Sequence, residues 1–287
     1  MRAVPIVVGY ALRESLRRRV FLIVLVLTGV FLALYALGAR EAFDQVDEFA
    51  TDSPLSGAID EQTLTGATLQ GLAMFGTLFL GAVLAAFLTL AVVRGDAERG
   101  ILQPLVVRPV GRTALLGGRL LAAAGVCAVY TAAVFAATAG ITYWAGGWWP
   151  DRFVLPTLEL AAAVVLIAGL SLLGSVLLSA TANGIAIFML FGAGLVAGLL
   201  GQIGEALDSE RLIDVARGAS WALPFEALYQ DALSAISSES FGLTEQALQL
   251  GPFGGAQAGG GWLWPWAFAY LAIVAGAAAV LFARRDL

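Results

Sequence analysis

Long apolar stretches alternate along the chain with short segments rich in arginine or in acidic residues. Six of these stretches are about 20 residues long or longer and carry few charges, which is the length a helix needs to cross a bilayer core of ~30 Å. They run at about 20–39, 71–93, 115–139, 155–178, 185–203 and 262–283. The pattern predicts an all-α integral membrane protein with six transmembrane helices, forming a single transmembrane domain over residues 1–287.

The fourth and fifth spans need to be separated, because the sequence from Leu155 to Ile203 is nearly continuous apolar sequence. That stretch is too long for one span. Residues 179–184 supply serine, threonine, asparagine and glycine, which favour a turn. We therefore predict two spans joined by a tight turn.

Two amphipathic helices are expected outside the spans. In the N-terminal segment Val4, Val8, Leu12 and Leu16 share one helical face and the arginines lie opposite, as in a helix lying in the inner membrane interface. The alternative for this segment is a basic tail that only orients the chain in the membrane. In the outer loop 204–261, Pro224 suits the first helical position. The residues that follow it have helical apolar spacing: Phe225, Leu228, Tyr229, Ala232, Leu233 and Ile236. We expect this helix to lie at the outer leaflet, with Glu226, Gln230 and Asp231 facing water.

The arginines predict the orientation in the membrane. With six spans, the N-terminus, the 94–119 loop and the C-terminus share one side, which holds 12 arginines and four acidic residues, a net charge of +8. The other side holds four arginines and 17 acidic residues, a net charge of −13. We predict a multi-pass protein of the cytoplasmic (inner) membrane with both termini in the cytoplasm.

Composition then excludes several functions. Charged residues make up 13% of the chain, about half the ~25% of soluble domains, so lipid is the expected solvent. The chain has no histidine and a single cysteine, Cys127, which removes imidazole catalysis, thiolate metal sites and internal disulfides. All 16 basic residues are arginine, so there is no lysine for an ATP-binding P-loop. We expect no catalytic, cofactor or metal site on this chain, and no nucleic-acid partner.

The inner loop 94–114 is the most informative segment, because it combines apolar residues suited to docking with flanking charges. The loop and its surroundings contain a series of short elements in a fixed order: Glu98-x-Gly100-Ile101-Leu102, Leu105, Arg108-Pro109-Val110-x-Arg112, Gly118-Arg119, Leu223-Pro224-Phe225 and Phe282-x-Arg284-Arg285-Asp286. With these elements the chain resembles the permease subunits of ABC-2 type ATP-binding-cassette transporters, and the resemblance covers essentially the whole chain. Family members more often carry threonine where Ile101 stands and lysine where Arg119 stands.

The resemblance implies a permease that forms the substrate path and is powered by a separate cytoplasmic ABC ATPase dimer, which would bind ATP and Mg²⁺. It also implies a second permease copy, giving a homodimer or a related heterodimer. The loop would contact the ATPase through Glu98, Arg99, Gly100, Leu102, Leu105, Arg108, Pro109 and Arg112. The alternative for this loop is that its arginines only orient the chain in the membrane.

Few polar residues fall within the spans. Glu159, about one turn from the outer end of span four, is either a carboxylate linked to substrate or protons, or an ordinary interfacial residue that reaches outward or bonds a neighbouring helix. Gly194 and Gly198 form a Gly-x-x-x-Gly match suited to close helix packing, either within the chain or between two copies. The remaining polar residues either line a path or bond helix carbonyls: Tyr130, Thr131, Thr138 and Ser171.

Other functions compete with the transport subunit. A secondary transporter or channel would need no ATPase, but it would have only Glu159 as a buried coupling charge and lacks an obvious inverted repeat. A membrane enzyme would lack histidine and clustered carboxylates within the membrane. A membrane-anchored assembly factor is compatible with the loop pattern.

Overall fold

The computed structural model describes residues 8–13, 19–49, 60–90, 112–236 and 259–284. Within these ranges residues 8–13 are helical, and six helices are long and apolar enough to cross a membrane, as predicted. The helices are α1 (Arg19–Phe49), α2 (Glu61–Thr89), α3 (Arg112–Gly146), α4 (Val154–Leu177), α5 (Ala180–Ala206), α6 (Glu210–Ala222), α7 (Pro224–Ala235) and α8 (Leu263–Ala283). Helices α1 to α5 and α8 correspond to the six predicted spans.

Several helices continue beyond the apolar stretches that predicted them. Helix α1 runs on through the acidic sequence to Phe49, and α2 begins at Glu61, where the predicted span begins at about residue 71. Asp60 caps α2, because its Oδ1 accepts a hydrogen bond from the Thr63 amide at 3.1 Å. Helix α3 has 35 residues, so it is about 52 Å long and extends well beyond a ~30 Å hydrocarbon core. Apolar length therefore locates the spans and underestimates the helices.

The turn between α4 and α5 consists of residues 178 and 179 alone. Asn183, which is fully buried, folds back from α5 and its Nδ2 donates to the Ser171 carbonyl of α4 at 2.8 Å. Gly174 of α4 faces the Asn183 amide and leaves no room for a Cβ atom. The predicted division of this apolar stretch into two spans is confirmed, and the asparagine joins them.

Helices α2 and α4 form the centre of the bundle. In the most apolar window of each, 67% of the residues are buried, compared with 17% for α1, 28% for α5 and 22% for α8. The outer helices expose large apolar side chains, for example Leu22, Ile23 and Val26 on α1. These surfaces are suited to lipid or to another transmembrane chain. Cys127 of α3 is fully buried in the apolar core.

A row of buried polar side chains, which we call the polar seam, joins α1, α2 and α3. Tyr35 of α1 hydrogen bonds Thr142 of α3 at 2.6 Å. Gln70 of α2, fully buried, donates to Thr138 Oγ1 at 3.2 Å and accepts from Thr142 Oγ1 at 3.3 Å. Because lipid cannot satisfy such groups, pairing across helices is what allows them to lie at membrane depth.

Helices α6 and α7 cover one end of the bundle, which we call the capped end. The ends of α1 and α3 and the beginnings of α2 and α4 lie there too, since Gly146 faces the Phe43 ring, Gln62 donates to the Gly146 carbonyl and the Asp151 amide donates to the Ile236 carbonyl. The end of α5 and the beginning of α8 contact α6 at the same end, through Gly204 and Trp266. At the opposite end, Leu90 after α2 lies against Gly184 near the beginning of α5. The chain thus alternates direction from span to span, as a six-span topology requires.

Helix α7 begins at Pro224, and the face predicted from its apolar spacing is buried at every position. The expectation that Glu226 faces water is wrong, because this side chain is only 1% exposed. The reason is that α7 is covered on a second side by α5, which the apolar spacing of α7 alone does not show. Gln230 and Asp231 are half-buried.

Candidate functional site

The residues predicted to contact an ATPase fall outside the part of the chain that the structure describes. Glu98 to Pro109 lie between the described ranges, and Arg112 is known only as the first residue of α3. Their connection leaves α2 at Leu90 and enters α3 at Arg112, at the end of the bundle opposite the capped end. The interpretation of this loop as a coupling element stays a prediction.

The described residues enclose a cavity of about 170 Å³ at the capped end, which we call the Glu226 cavity. Helix α5 contributes one wall, α6 and α7 two others, and the beginning of α8 closes it. Its polar lining includes Arg217, Ser220, Glu226 and Gln230, and two indoles, Trp221 and Trp266, stand beside them. A small concave space with a few convergent polar groups is the usual form of a binding site.

Glu226 is the most deeply buried charged group of this cavity. Ser220 Oγ of α6 donates to its Oε2 at 3.1 Å, and Gln230 Nε2 of α7 donates to its Oε1 at 2.9 Å. Burial raises the pKa of the Glu226 carboxyl, and these two hydrogen bonds oppose the shift. In the described ranges no ion pair includes Glu226, so two neutral donors are its only partners there.

Gly194 and Gly198 of α5 form the surface on which α7 rests. A Cβ atom at Gly194 would lie 2.6 Å from Cζ of Phe225, and one at Gly198 would overlap the Glu226 carboxyl. The Gly-x-x-x-Gly match therefore allows α7, a helix of the same chain, to pack closely against α5. The Phe225 ring also stacks on Phe191 of α5, with the two ring centroids 6.2 Å apart.

The two tryptophans of the cavity fix α6 to α8. The indole Nε1 of Trp266 donates to the Trp221 carbonyl at 2.9 Å, and the two ring centroids are 5.7 Å apart. Arg217 is paired with Asp214 at 3.4 Å, and both side chains are about two-thirds exposed. Arg217 and the half-exposed Trp221 therefore mark the opening of the cavity to the surface.

Glu159 lies nearby but outside this cavity. It is in the second turn of α4, fully buried, and neither carboxyl oxygen has a hydrogen-bond partner among the described residues. The Asp231 carboxyl of α7 and the Trp264 indole of α8 are near enough to act electrostatically on the Glu159 carboxyl group. Glu159 therefore faces other helices and does not reach the surface of the chain.

The other polar residues predicted within the spans have separate surroundings. Tyr130 shares a 2.5 Å hydrogen bond with Thr28 of α1, and Thr138 belongs to the polar seam. The hydroxyls of Thr131 and Ser171 have no partner in the described ranges. These four side chains are not gathered into one path.

Sequence reasoning missed helix α6, which contributes Arg217, Ser220 and Trp221 to the cavity. Ile213, Ala216 and Ser220 follow a helical spacing, so the signal was present in a segment interpreted as a loop. The described residues hold no group of three or more Asp, Glu or Cys side chains that could bind a metal.

Comparison with curated proteins finds no match. Comparison with protein families matches residues 6–287 to the family described as ABC-2 family transporter protein.

Proposed function

Since this chain belongs to the ABC-2 transporter family, we propose that it is the permease subunit of an ATP-driven transporter, coupled to a separate cytoplasmic ATPase. In this role the helical bundle forms the substrate path. ATP and Mg²⁺ are bound by the partner. The observation that carries the proposal is the family match over nearly the whole chain, together with the six candidate spans.

The composition supports the separation of the two tasks. The sequence has no lysine, and a P-loop needs one to reach the β- and γ-phosphates of ATP. A membrane component of this kind must therefore receive the energy of ATP hydrolysis through contact with another subunit. We propose an ABC ATPase dimer as that partner.

The contact is proposed to lie in the connection between α2 and α3, through Glu98, Arg99, Gly100, Leu102, Leu105, Arg108, Pro109 and Arg112. Both flanking helices are long and one of them, α2, is central, so a displacement of the connection would be transmitted into the core of the bundle. The arginine distribution favours the cytoplasm for this end and for both termini.

A second permease copy is proposed to complete the path. Helices α1, α5 and α8 are the least buried of the six spans and expose large apolar side chains. Their surfaces are available for a homodimer or a related heterodimer within the inner membrane.

The coupling is tested with a tagged chain purified from its native membrane in mild detergent. The double variant Glu98→Ala/Arg108→Ala should co-purify with at least tenfold less ABC ATPase than the unmodified chain, and the ATP hydrolysis of the sample should fall by the same factor. The control is Arg40→Ala/Glu41→Ala, which removes one charge of each sign from an exposed part of α1 and should retain both. Undiminished ATPase capture and hydrolysis with the first variant would contradict the role of this loop. ATP-independent transport in vesicles would favour a secondary transporter.

A further inference from the structure

We propose that the Glu226 cavity is a binding site for the ammonium group of an organic primary amine, with Glu226 as its counter-ion. This site requires neither the ATPase nor the α2–α3 connection. The residues that line it indicate the chemical class of the ligand.

The first argument is that, in the described ranges, no cation balances the charge of Glu226 when its carboxyl group is ionised. Its carboxyl group is 1% exposed and contacts only the neutral donors Ser220 and Gln230. An ionised carboxylate has about four acceptor positions, and burial without a cation is unfavourable. A ligand cation entering the cavity would supply the missing charge and further N–H donors.

The second argument is a free acceptor beside the carboxyl group. Gln230 donates through Nε2 to Glu226, while its buried Oε1 has no hydrogen-bond partner in the described part of the chain. An ammonium group of the R–NH₃⁺ type has three donors and no acceptor, as in lysine. It matches two neighbouring acceptors, whereas a quaternary ammonium ion has no N–H to donate.

The third argument is the aromatic wall. Trp221 and Trp266 line the cavity, and the hydrogen bond from Trp266 Nε1 to the Trp221 carbonyl holds the two indoles in place. Indole faces attract cations, and the attraction reaches its largest values where water is excluded. Arg217 also lines the cavity, but it is at the exposed opening and paired with Asp214, so solvent and this partner screen it from the interior.

The volume limits what enters. A cavity of ~150 Å³ holds a molecule the size of benzene, whereas drug-sized ligands need ~300–1,000 Å³. At about 170 Å³ the cavity has room for an amine group and a few carbon atoms. The rest of a longer ligand would extend out of the cavity past Trp221. A soluble alkylamine and the head group of phosphatidylethanolamine share this chemistry.

The test uses the full chain in detergent, with hexylammonium as the probe and binding followed by tryptophan fluorescence. Alkaline buffer favours the Glu226 carboxylate, whose pKa is raised, and should stay below the ~10.4 typical of a lysine-like amine. Glu226→Gln should weaken hexylammonium binding at least tenfold. Glu210→Gln, which neutralises an exposed acid of α6 outside the cavity, should not change it.

The neutral analogue 1-hexanol and the quaternary hexyltrimethylammonium provide a test on the unmodified chain, independent of any folding defect in a variant. Both should bind at least tenfold more weakly than hexylammonium. Equal binding of hexanol, or equal hexylammonium binding by a folded Glu226→Gln protein, would overturn the proposal.

The source of the amine is then distinguished in nanodiscs of phosphatidylglycerol with or without phosphatidylethanolamine. If the lipid is the ligand, phosphatidylethanolamine should weaken hexylammonium binding to the unmodified chain by competition. An unchanged affinity assigns the site to a soluble amine. Because no ATPase is present, failure here leaves the permease proposal standing, and loss of ATPase capture by the loop variant leaves this site standing.

Discussion

Replacing Gly194 with alanine adds one methyl group between α5 and α7, and its consequence can be worked out from the structure. The new Cβ atom would lie 2.6 and 2.9 Å from two carbons of the Phe225 ring, whereas carbon atoms pack best at ~3.5–4.0 Å. Phe225 is 1% exposed and stacked on Phe191, so its ring cannot withdraw without moving α7. Overpacking of this kind costs about 1–3 kcal/mol.

Alanine also raises helix propensity by up to ~1 kcal/mol relative to glycine, which opposes the clash. Gly192 separates the two effects, because it lies in the same helix and a Cβ atom there would meet nothing within 4 Å. We expect Gly194→Ala to unfold at a temperature several degrees below that of Gly192→Ala in detergent, measured by tryptophan fluorescence. Adding Phe225→Leu to Gly194→Ala should recover part of the loss. Equal unfolding temperatures for the two alanine variants would refute this account of the α5–α7 contact.

Three further predictions concern buried groups. Gln70→Leu removes the hydrogen bonds of the polar seam to Thr138 and Thr142 and should lower the free energy of unfolding by about 0.6–1.7 kcal/mol; unchanged stability would show that the seam is dispensable. Because burial raises the pKa of Glu226 in the folded state, the native chain keeps this proton to a higher pH than the unfolded chain, which loses it at about pH 4.3, so this group lowers stability as pH rises. The unfolding temperature of Glu226→Gln should therefore rise relative to that of the unmodified chain as the pH increases from 5 to 8. A difference in unfolding temperature that stays constant over this range would contradict the prediction. Cys127, fully buried, should react with a maleimide only after denaturation in SDS, whereas a Glu210→Cys/Cys127→Ser control should react in the folded state.

The spans were predictable because apolar length is a property of each segment alone. The same holds for Pro224 and for the buried face of α7, where six apolar positions share a helical spacing. Each of these features depends on the residues within one element.

The cavity was not predictable from such patterns, because it depends on which elements meet. Glu226 is polar in a mostly apolar helix, so the helical wheel places it toward water. The approach of α5, which Gly194 and Gly198 permit, and of α6, whose Ser220 contacts the carboxyl group, buries it. The glycine spacing indicated close packing, but it did not identify α7 as the partner.

The polar seam has a consequence for how the protein is made. Gln70 finds its partners 68 and 72 residues later in the chain. At a synthesis rate of ~5–20 residues per second, these threonines leave the ribosome about 3–14 s after the glutamine. During that interval α2 carries an amide side chain that no later helix can yet satisfy, so retention of this helix near the insertion machinery until α3 arrives would favour correct biogenesis.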